Sequence, residues 1–189
     1  YEMPSDHIYI RPESWDKPFE APEHVCSSYD NCHVPWGSTH EKTWHLVKTL
    51  PHVSGLFVWT GFDYLGEPTP YWWPSRSSFF GIVDLAGFPK DVYYMYKSEW
   101  TDEPVLHIFP HWNWKEGERV DIWAYYNNAD EVELYLNGKS LGVRQKTDST
   151  YHVSWRVPFT PGTLRAVSRL GGKEVLVKEI HTAGEPARL

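Results

Sequence analysis

Seven short segments of alternating apolar and polar residues occupy the chain after Glu103, and this period of two constrains the fold more than any other feature. The segments are Val105–Phe109, Val120–Asn127, Glu131–Leu136, Lys139–Val143, Tyr151–Val157, Thr163–Leu170 and Lys173–Ile180. Asn137-Gly138 and Gly171-Gly172 lie between segments as hairpin turns, and Pro161-Gly162 forms a further turn. Seven strands within roughly ninety residues predict an immunoglobulin-like sandwich over residues 103–189.

The alternation is most regular in the segment Val120–Asn127. Successive side chains of a strand point to opposite faces of its sheet. Here Val120, Ile122, Ala124 and Tyr126 alternate with Asp121, Trp123 and Tyr125, as expected for a strand.

Residues 1–102 lack this alternation and carry the pattern of a β/α repeat. Ser38 and Glu41 are three residues apart, as in a capping box, and they predict a helix that ends before Pro51. The apolar positions of this helix follow a spacing of three residues and should be buried: Trp44, Val47 and Leu50.

A buried strand and a second helix complete the β/α pattern. Residues 55–59 are apolar without alternation, which predicts a strand buried on both faces, as in a parallel sheet covered by helices. A long loop over residues 61–88 precedes a helix predicted for Lys90–Trp100, with Val92, Tyr96 and Trp100 on one face. In (β/α)₈ barrels the loops that follow the strands build the active site.

Charge and hydropathy exclude two classes of partner. The net charge is −7; residues 1–102 hold 14 acidic and 7 basic residues, whereas residues 103–189 hold 11 of each. Neither half has the basic surface of a nucleic-acid-binding protein. No run approaches the roughly 18 consecutive apolar residues of a membrane-spanning helix. We therefore expect neither a nucleic acid nor a membrane as a partner.

Three motifs carry a resemblance to a known family. Residues 55–69 read GLFVWTGFDYLGEPT, residues 80–91 read FGIVDLAGFPKD, and residues 132–139 read VELYLNGK. The first two resemble the eighth-strand motif and the following loop and helix start of glycoside hydrolase family two, especially its bacterial β-galactosidases. The third resembles the immunoglobulin-like domain behind the barrel. The resemblance implies an α+β chain: the terminal portion of a (β/α)₈ barrel in residues 1–102, followed by an all-β immunoglobulin-like sandwich in residues 103–189.

The resemblance also implies a chemistry, namely retaining hydrolysis of O-glycosidic bonds by two glutamates without a cofactor. Both glutamates, on the fourth and seventh barrel strands, would precede Tyr1, so we expect no catalytic residue here and no hydrolysis by the isolated chain. Glu2 follows no apolar strand. Asp63 and Glu67 suit binding of sugar hydroxyls or fastening of the loop better than a nucleophilic pair about 5–5.5 Å apart.

Three residues are candidates for substrate binding: Trp59, Asp63 and Trp73. Trp59 would present its ring to the sugar at the carboxyl end of a barrel strand, as the family's eighth-strand Trp does; a place in the core is the alternative. Asp63 could accept hydrogen bonds from sugar hydroxyls or from backbone amides of its own turn. Trp73, with Tyr71 and Trp72, could line a sugar subsite or pack the loop.

Other aromatic and metal-binding side chains leave alternatives open. Aromatic residues make up 16% of the chain, and such rings either stack on sugars or fill cores. Trp112 and Trp114 in the sandwich could accordingly bind a glycan or pack against the barrel. No metal is expected, because His24, Cys26, Cys32 and His33 match no standard zinc spacing; the two cysteines could pair or stay reduced.

Three functions remain in competition: part of a β-galactosidase-like hydrolase, a carbohydrate-binding module, and a structural immunoglobulin-like module. The apolar segment at residues 55–59 favours the first, because a binding module has no use for a lone barrel strand. The partner would then be a galactoside or related glycan, and a periplasmic or secreted location is favoured for the parent protein. We expect the sandwich to fold alone, and residues 1–102 either to pack on it or to self-associate.

Overall fold

The computed structural model describes residues 27–31, 33, 37–68 and 73–185 of the chain. The chain divides into two compact units, unit 1 (Tyr1–Tyr96) and unit 2 (Lys97–Leu189). The helices of the described part are α1 (His40–Thr49) and α2 (Asp91–Trp100), and the division between the units falls within α2. Neither of these helices has the length and apolar character required to cross a membrane.

Unit 2 contains seven strands, whose ends differ from the predicted ones by no more than one residue. They are β1 (Leu106–Phe109), β2 (Arg119–Tyr126), β3 (Glu131–Leu136), β4 (Lys139–Arg144), β5 (His152–Pro158), β6 (Thr163–Leu170) and β7 (Lys173–His181). All neighbours are antiparallel, and they form two sheets with the orders β1-β2-β5 and β4-β3-β6-β7. The predicted all-β sandwich is confirmed. Strand β4 lies at the edge of the four-stranded sheet and pairs with β3.

The hairpin turns follow from residues that tolerate a positive φ. Asn137 and Gly138, which join β3 to β4, have φ angles of 50° and 79°, and Gly171 and Gly172, which join β6 to β7, have 56° and 78°. Two successive positive φ angles define the type I′ turn, whose twist matches that of the flanking strands. The Asn137 side chain also accepts a hydrogen bond from the Thr163 N–H at 2.8 Å and so fastens this turn to the start of β6.

The inner faces of the two sheets form one apolar core. Its buried members include Ile108, Val120, Ile122, Ala124 and Trp155 from the three-stranded sheet, and Val132, Leu134, Leu164 and Ala166 from the four-stranded sheet. Removing these side chains from water is the main favourable contribution to folding of unit 2.

Trp112 and Trp114 both contribute to packing. Trp112 is fully buried in the core, where its indole N–H donates to the Thr160 carbonyl at 3.0 Å and its ring meets Phe159 edge-on. The glycan-binding alternative is therefore wrong for Trp112, because a buried ring has no face to offer a sugar. Trp114 packs, partly buried, against the same core, and it stacks on His111 with ring centroids 4.9 Å apart.

Strand β2 is buried on both faces, including the face that carries Asp121, Trp123 and Tyr125. The Trp123 ring lies parallel to His152 with centroids 3.6 Å apart, and Tyr125 stacks on Phe109 at 5.2 Å. Arg156 neutralises the Asp121 carboxylate through two hydrogen bonds of 2.7 and 2.8 Å. Stacked aromatic rings and a bidentate ion pair suit a covered face as well as an exposed one. The alternation of residues along β2 therefore could not show whether this face of the strand is covered or exposed.

The predicted capping box at the start of α1 is wrong. Thr39 occupies the N-cap position without a side-chain capping bond, and the first two N–H groups, of His40 and Glu41, donate instead to the Asp30 carboxylate at 2.8 and 2.7 Å. A carboxylate at this end satisfies N–H groups that have no partner within the helix and complements its dipole. No residue of α1 is buried, and Leu50 lies beyond its end, so the predicted burial of Trp44, Val47 and Leu50 is also wrong.

Helix α2 begins one residue later than predicted, at Asp91, and ends at Trp100 as expected. Of the predicted apolar face, only Tyr96 is buried, together with Met95; Val92 is partly buried and Trp100 is half exposed. The Tyr96 hydroxyl is 2.9 Å from Nδ1 of His40, so it fixes α2 against the first turn of α1.

No strand forms over residues 55–59, and the prediction of a strand buried on both faces is wrong for this chain. The Phe57 side chain is fully exposed, and Trp59 is 74% exposed. A strand needs neighbours for its backbone N–H and C=O groups as well as for its side chains, and the described residues place no strand beside this segment.

We expect Leu134→Ala to lower the free energy of unfolding by about 2–5 kcal/mol, because Leu134 is fully buried and its truncation leaves a cavity between the sheets. Urea unfolding of both variants and the unsubstituted chain, followed by Trp fluorescence, measures this change. The matched control is Val143→Ala on the adjacent strand β4, where the side chain is 40% exposed and the loss should stay below about 1 kcal/mol. Equal losses for the two variants would contradict the assignment of Leu134 to the core.

Candidate functional site

The chain after Trp59 is fixed by backbone hydrogen bonds to residues 80–83. The Thr60 N–H donates to the Phe80 carbonyl at 3.3 Å, and the Val83 N–H donates to the Gly61 carbonyl at 3.1 Å. Phe62 and Val83 form a parallel bridge, and the Asp63 N–H donates to the Val83 carbonyl at 2.9 Å. The long loop predicted from the sequence therefore folds back on itself and holds the backbone next to Trp59.

Asp63 fastens this loop through both carboxylate oxygens. One oxygen accepts the Gly81 N–H at 2.7 Å, and the other lies 2.7 Å from Nζ of Lys90. The Asp63 side chain is only 9% exposed, and Lys90 also donates to the Phe79 carbonyl at 2.9 Å. A buried carboxylate engaged on both oxygens suits the loop-fastening alternative, and binding of a sugar hydroxyl by Asp63 stays a prediction.

Gly81 is required for this close approach of the two chain segments. A Cβ atom at position 81 would lie 2.2 Å from the Asp63 nitrogen and 2.5 Å from the Phe62 carbonyl carbon. These are backbone atoms, which cannot swing away as the end of a side chain can, so any other residue would separate the segments.

The ring of Trp59 is displayed on the surface. It meets Tyr64 edge-on, with centroids 6.4 Å apart, and most of its area faces solvent. The Tyr64 hydroxyl in turn donates to the Glu67 carboxylate. An exposed apolar face is the property that a sugar-stacking residue needs, and the sugar-binding role of Trp59 stays a prediction.

Trp73 is exposed to the same degree, at 73%, and the Arg76 guanidinium lies over its ring at 4.4 Å from the centroid. Tyr71 and Trp72, its companions in the sequence prediction, lie outside the described residues. Among the described residues, Trp59, Asp63 and Trp73 make no hydrogen bond or ring contact with one another. The structure thus exposes the rings of Trp59 and Trp73 and buries the Asp63 carboxylate.

Exposed apolar side chains distinguish unit 1 from unit 2. Among the described residues of unit 1, those more than half exposed are Phe57, Trp59, Phe62, Leu65, Trp73, Leu85 and Phe88. Isolated exposed apolar residues are ordinary, but many large ones in a short stretch indicate a surface that binds a ligand or another protein surface.

A buried cluster of Asp30, His40 and Tyr96 has no counterpart in the sequence analysis. Asp30 caps α1, and the His40 ring bonds the Tyr96 hydroxyl and meets its ring edge-on. Burial raises the pKa of Asp30, lowers the pKa of His40 and raises the pKa of Tyr96, so a neutral imidazole and a neutral phenol are favoured. The cluster ties residues 27–31 to both helices, and only the three-dimensional fold reveals it.

The described residues contain no group of three or more His, Cys, Asp or Glu side chains that could hold a metal ion. Of the four residues considered for zinc, His33 is described and exposed, whereas His24, Cys26 and Cys32 lie outside the described residues.

Comparisons with known proteins agree with the motifs. A domain of unknown function, DUF4982, matches residues 117–176. β-Galactosidase BoGH2A of Bacteroides ovatus is 62% identical over 100% of this chain, which covers 22% of that protein. A β-glycosidase structure from Bacteroides vulgatus matches 85% of this chain and 20% of its own with a TM-score of 0.77 and 40% identity. A structure of a glycosyl hydrolase family 2 member from Bacteroides cellulosilyticus matches 77% of this chain and 24% of its own, with a TM-score of 0.67 and 31% identity.

The chain is therefore a segment related to glycoside hydrolases. The resemblance read from the motifs is confirmed: the chain is homologous to part of glycoside hydrolase family two proteins and spans about a fifth of the length of the relatives it matches.

We expect Asp63→Ala to accelerate hydrogen–deuterium exchange of the Gly81 amide by about tenfold or more, because a hydrogen bond to a charged acceptor contributes about 1.5–3 kcal/mol. Exchange read by NMR or by peptide-resolved mass spectrometry over residues 76–84 measures the effect. Asp102→Ala, which removes an exposed carboxylate in unit 2, is the control and should leave this amide unchanged. Unaltered exchange in Asp63→Ala would show that Asp63 does not fasten the loop.

Proposed function

We propose that this chain is the carboxy-terminal part of a retaining β-galactosidase-like glycoside hydrolase. Residues 1–102 would form the end of its (β/α)₈ catalytic barrel, and residues 103–189 the immunoglobulin-like sandwich domain behind it. The observation that carries the proposal is the 62% identity to β-galactosidase BoGH2A along the whole chain, which covers 22% of that protein. Its substrate would be a galactoside or a related glycan.

The exposed apolar side chains of unit 1 support the barrel assignment. In a complete barrel, residues 55–59 would pair with neighbouring strands, and these strands would supply both the hydrogen bonds and the apolar contacts that the segment requires. Without them, the same surface favours self-association of the isolated chain through Phe57, Phe62 and Leu65.

The chemistry of the described carboxylates supports a non-catalytic role for this part of the enzyme. A retaining glycosidase needs a nucleophilic carboxylate and an acid/base about 5–5.5 Å apart. Asp63 is occupied by Gly81 and Lys90, and Glu67 accepts the Tyr64 hydroxyl. The two glutamates would therefore come from the other part of the parent protein, while Trp59 would supply an apolar wall for the sugar and Trp73 a further subsite.

We expect the isolated chain to hydrolyse no nitrophenyl β-galactoside, β-glucuronide or β-glucoside above the rate in buffer, because the acid/base and nucleophile supply most of the rate of this chemistry. Release of nitrophenol measures the rate, and the complete parent enzyme is the positive control. Turnover by the isolated chain that disappears in Asp63→Asn or Glu67→Gln would overturn the proposal that both catalytic glutamates lie in the other part of the parent protein.

In the complete parent enzyme, we expect Trp59→Ala to lower kcat/KM by roughly one to three orders of magnitude, because the sugar loses an apolar stacking face in the transition state. Steady-state kinetics with a nitrophenyl galactoside measures this, and Trp59→Phe should recover part of the loss. Trp100→Ala, which removes a half-exposed Trp from α2, is the matched control and should retain near-normal kinetics. If Trp59→Ala keeps the kinetics and loses only thermal stability, Trp59 is a packing residue.

A further inference from the structure

A groove on the outer face of the four-stranded sheet has properties that neither the core nor the barrel assignment explains. It has a volume of about 470 Å³, which lies within the range of about 300–1,000 Å³ for ligand sites. Its walls include Tyr135 of β3, Arg165 and Arg169 of β6, and Glu174 and Glu179 of β7. Tyr135, Arg165 and Glu179 pair directly across the three adjacent strands, so their side chains share one face of the sheet.

One side of the groove is rigid. The Tyr135 hydroxyl donates to the Glu133 carboxylate and accepts a hydrogen bond from Arg169 at 3.2 Å, and Arg169 also lies 2.8 Å from Glu133. The Ser140 hydroxyl donates to the other Glu133 oxygen at 2.6 Å. This network fixes the orientation of the Tyr135 ring, which then offers a preorganised apolar surface at little entropic cost.

The other side of the groove is adaptable. Arg165 lies 3.4 Å from Glu179 and 4.0 Å from Glu174, and its guanidinium is 5.8 Å from the Tyr135 ring centroid. Such long, exposed ion pairs contribute about 0–1 kcal/mol, so the hydroxyl groups of a ligand can replace them without a large loss.

The charges of the lining select the class of ligand. Arg169 is paired with Glu133, and Arg165 faces both Glu174 and Glu179, so these five charges sum to −1 and the groove does not attract anions over a distance. Carboxylates accept hydrogen bonds from hydroxyl groups, guanidinium groups donate to them, and the Tyr135 ring can contact the C–H face of a pyranose. We propose that this groove binds an uncharged oligosaccharide chain, as an accessory site that acts independently of the hydrolysis assigned above.

Isothermal titration of the 189-residue chain tests the proposal with three uncharged probes, β-1,4-linked galactotetraose, cellotetraose and xylotetraose, and one anionic probe, tetragalacturonate. We expect at least one uncharged probe to bind with a Kd of about 0.1–1 mM, and more tightly than tetragalacturonate. Arg165→Met should weaken that binding by about tenfold, equivalent to about 1.4 kcal/mol. The matched control Arg144→Met removes an exposed arginine of β4 that does not line the groove, and it should bind as the unsubstituted chain does.

A further variant makes the result decisive. If Arg165→Met lowers the unfolding midpoint, Glu179→Gln replaces it and should produce the same tenfold loss. The proposal is overturned if no uncharged probe binds up to about 10 mM, if tetragalacturonate binds more tightly, if the groove variants bind normally, or if Arg144→Met abolishes binding. Each of these outcomes would leave the groove as a solvated sheet face with cross-strand ion pairs.

Discussion

The apolar contact between the two sheets is the interaction on which unit 2 depends. Ile122 and Trp155 on one sheet face the same core as Leu134 and Leu164 on the other, and the hairpins bring these residues together from strands that are close in sequence. Unit 1 is built differently, because its helices and loop are joined by polar contacts around Asp30 and Asp63 while large apolar side chains remain exposed. An apolar surface of that kind is stable when another apolar surface covers it.

The polar contacts of unit 1 have a consequence for Trp59. The Asp63 carboxylate joins Lys90, next to the start of α2, to Gly81, and the backbone bonds of Thr60 and Gly61 reach the same segment. These bonds hold the chain directly after Trp59 although the ring itself has few neighbours. A ring displayed from a fixed backbone loses less entropy when it binds than a ring on a mobile loop. The ion pair between Asp63 and Lys90 can thus favour binding at Trp59 without contacting a ligand itself.

The sequence predicted the features that depend on neighbouring residues and missed those that depend on distant ones. Asn137-Gly138 defines its turn locally, so the hairpin of β3 and β4 could be predicted, whereas the register shift between Glu133 and Tyr135 could not. The cap of α1 could not, because Ser38 and Glu41 offer a valid local motif and only the fold brings Asp30 to the same N–H groups. The apolar run at residues 55–59 suggested a buried strand, but the described residues place no strand beside this segment; in the proposed barrel, neighbouring strands would supply that environment. Trp59 became a candidate through its motif, and its role stays a prediction, whereas the groove beside Tyr135 consists of surface residues without any motif.

The two proposed sugar-binding surfaces differ in chemistry in a way that bears on how they would act together. Stacking on an exposed ring such as Trp59 gives affinity with little discrimination between sugars, because every pyranose has an apolar face. The groove selects by hydrogen bonding, but each bond to Arg165 or Glu179 replaces an existing ion pair, so its net affinity is small. Two weak sites on one polypeptide bind a ligand more tightly when that ligand contacts both of them, since the second contact then forms at an effective concentration in the millimolar range. A groove of millimolar affinity would therefore raise the overall affinity for a polymeric glycan and leave the affinity for a disaccharide measurably unchanged. The length of the glycan, rather than the identity of its terminal sugar, would then determine whether the sandwich contributes to substrate capture.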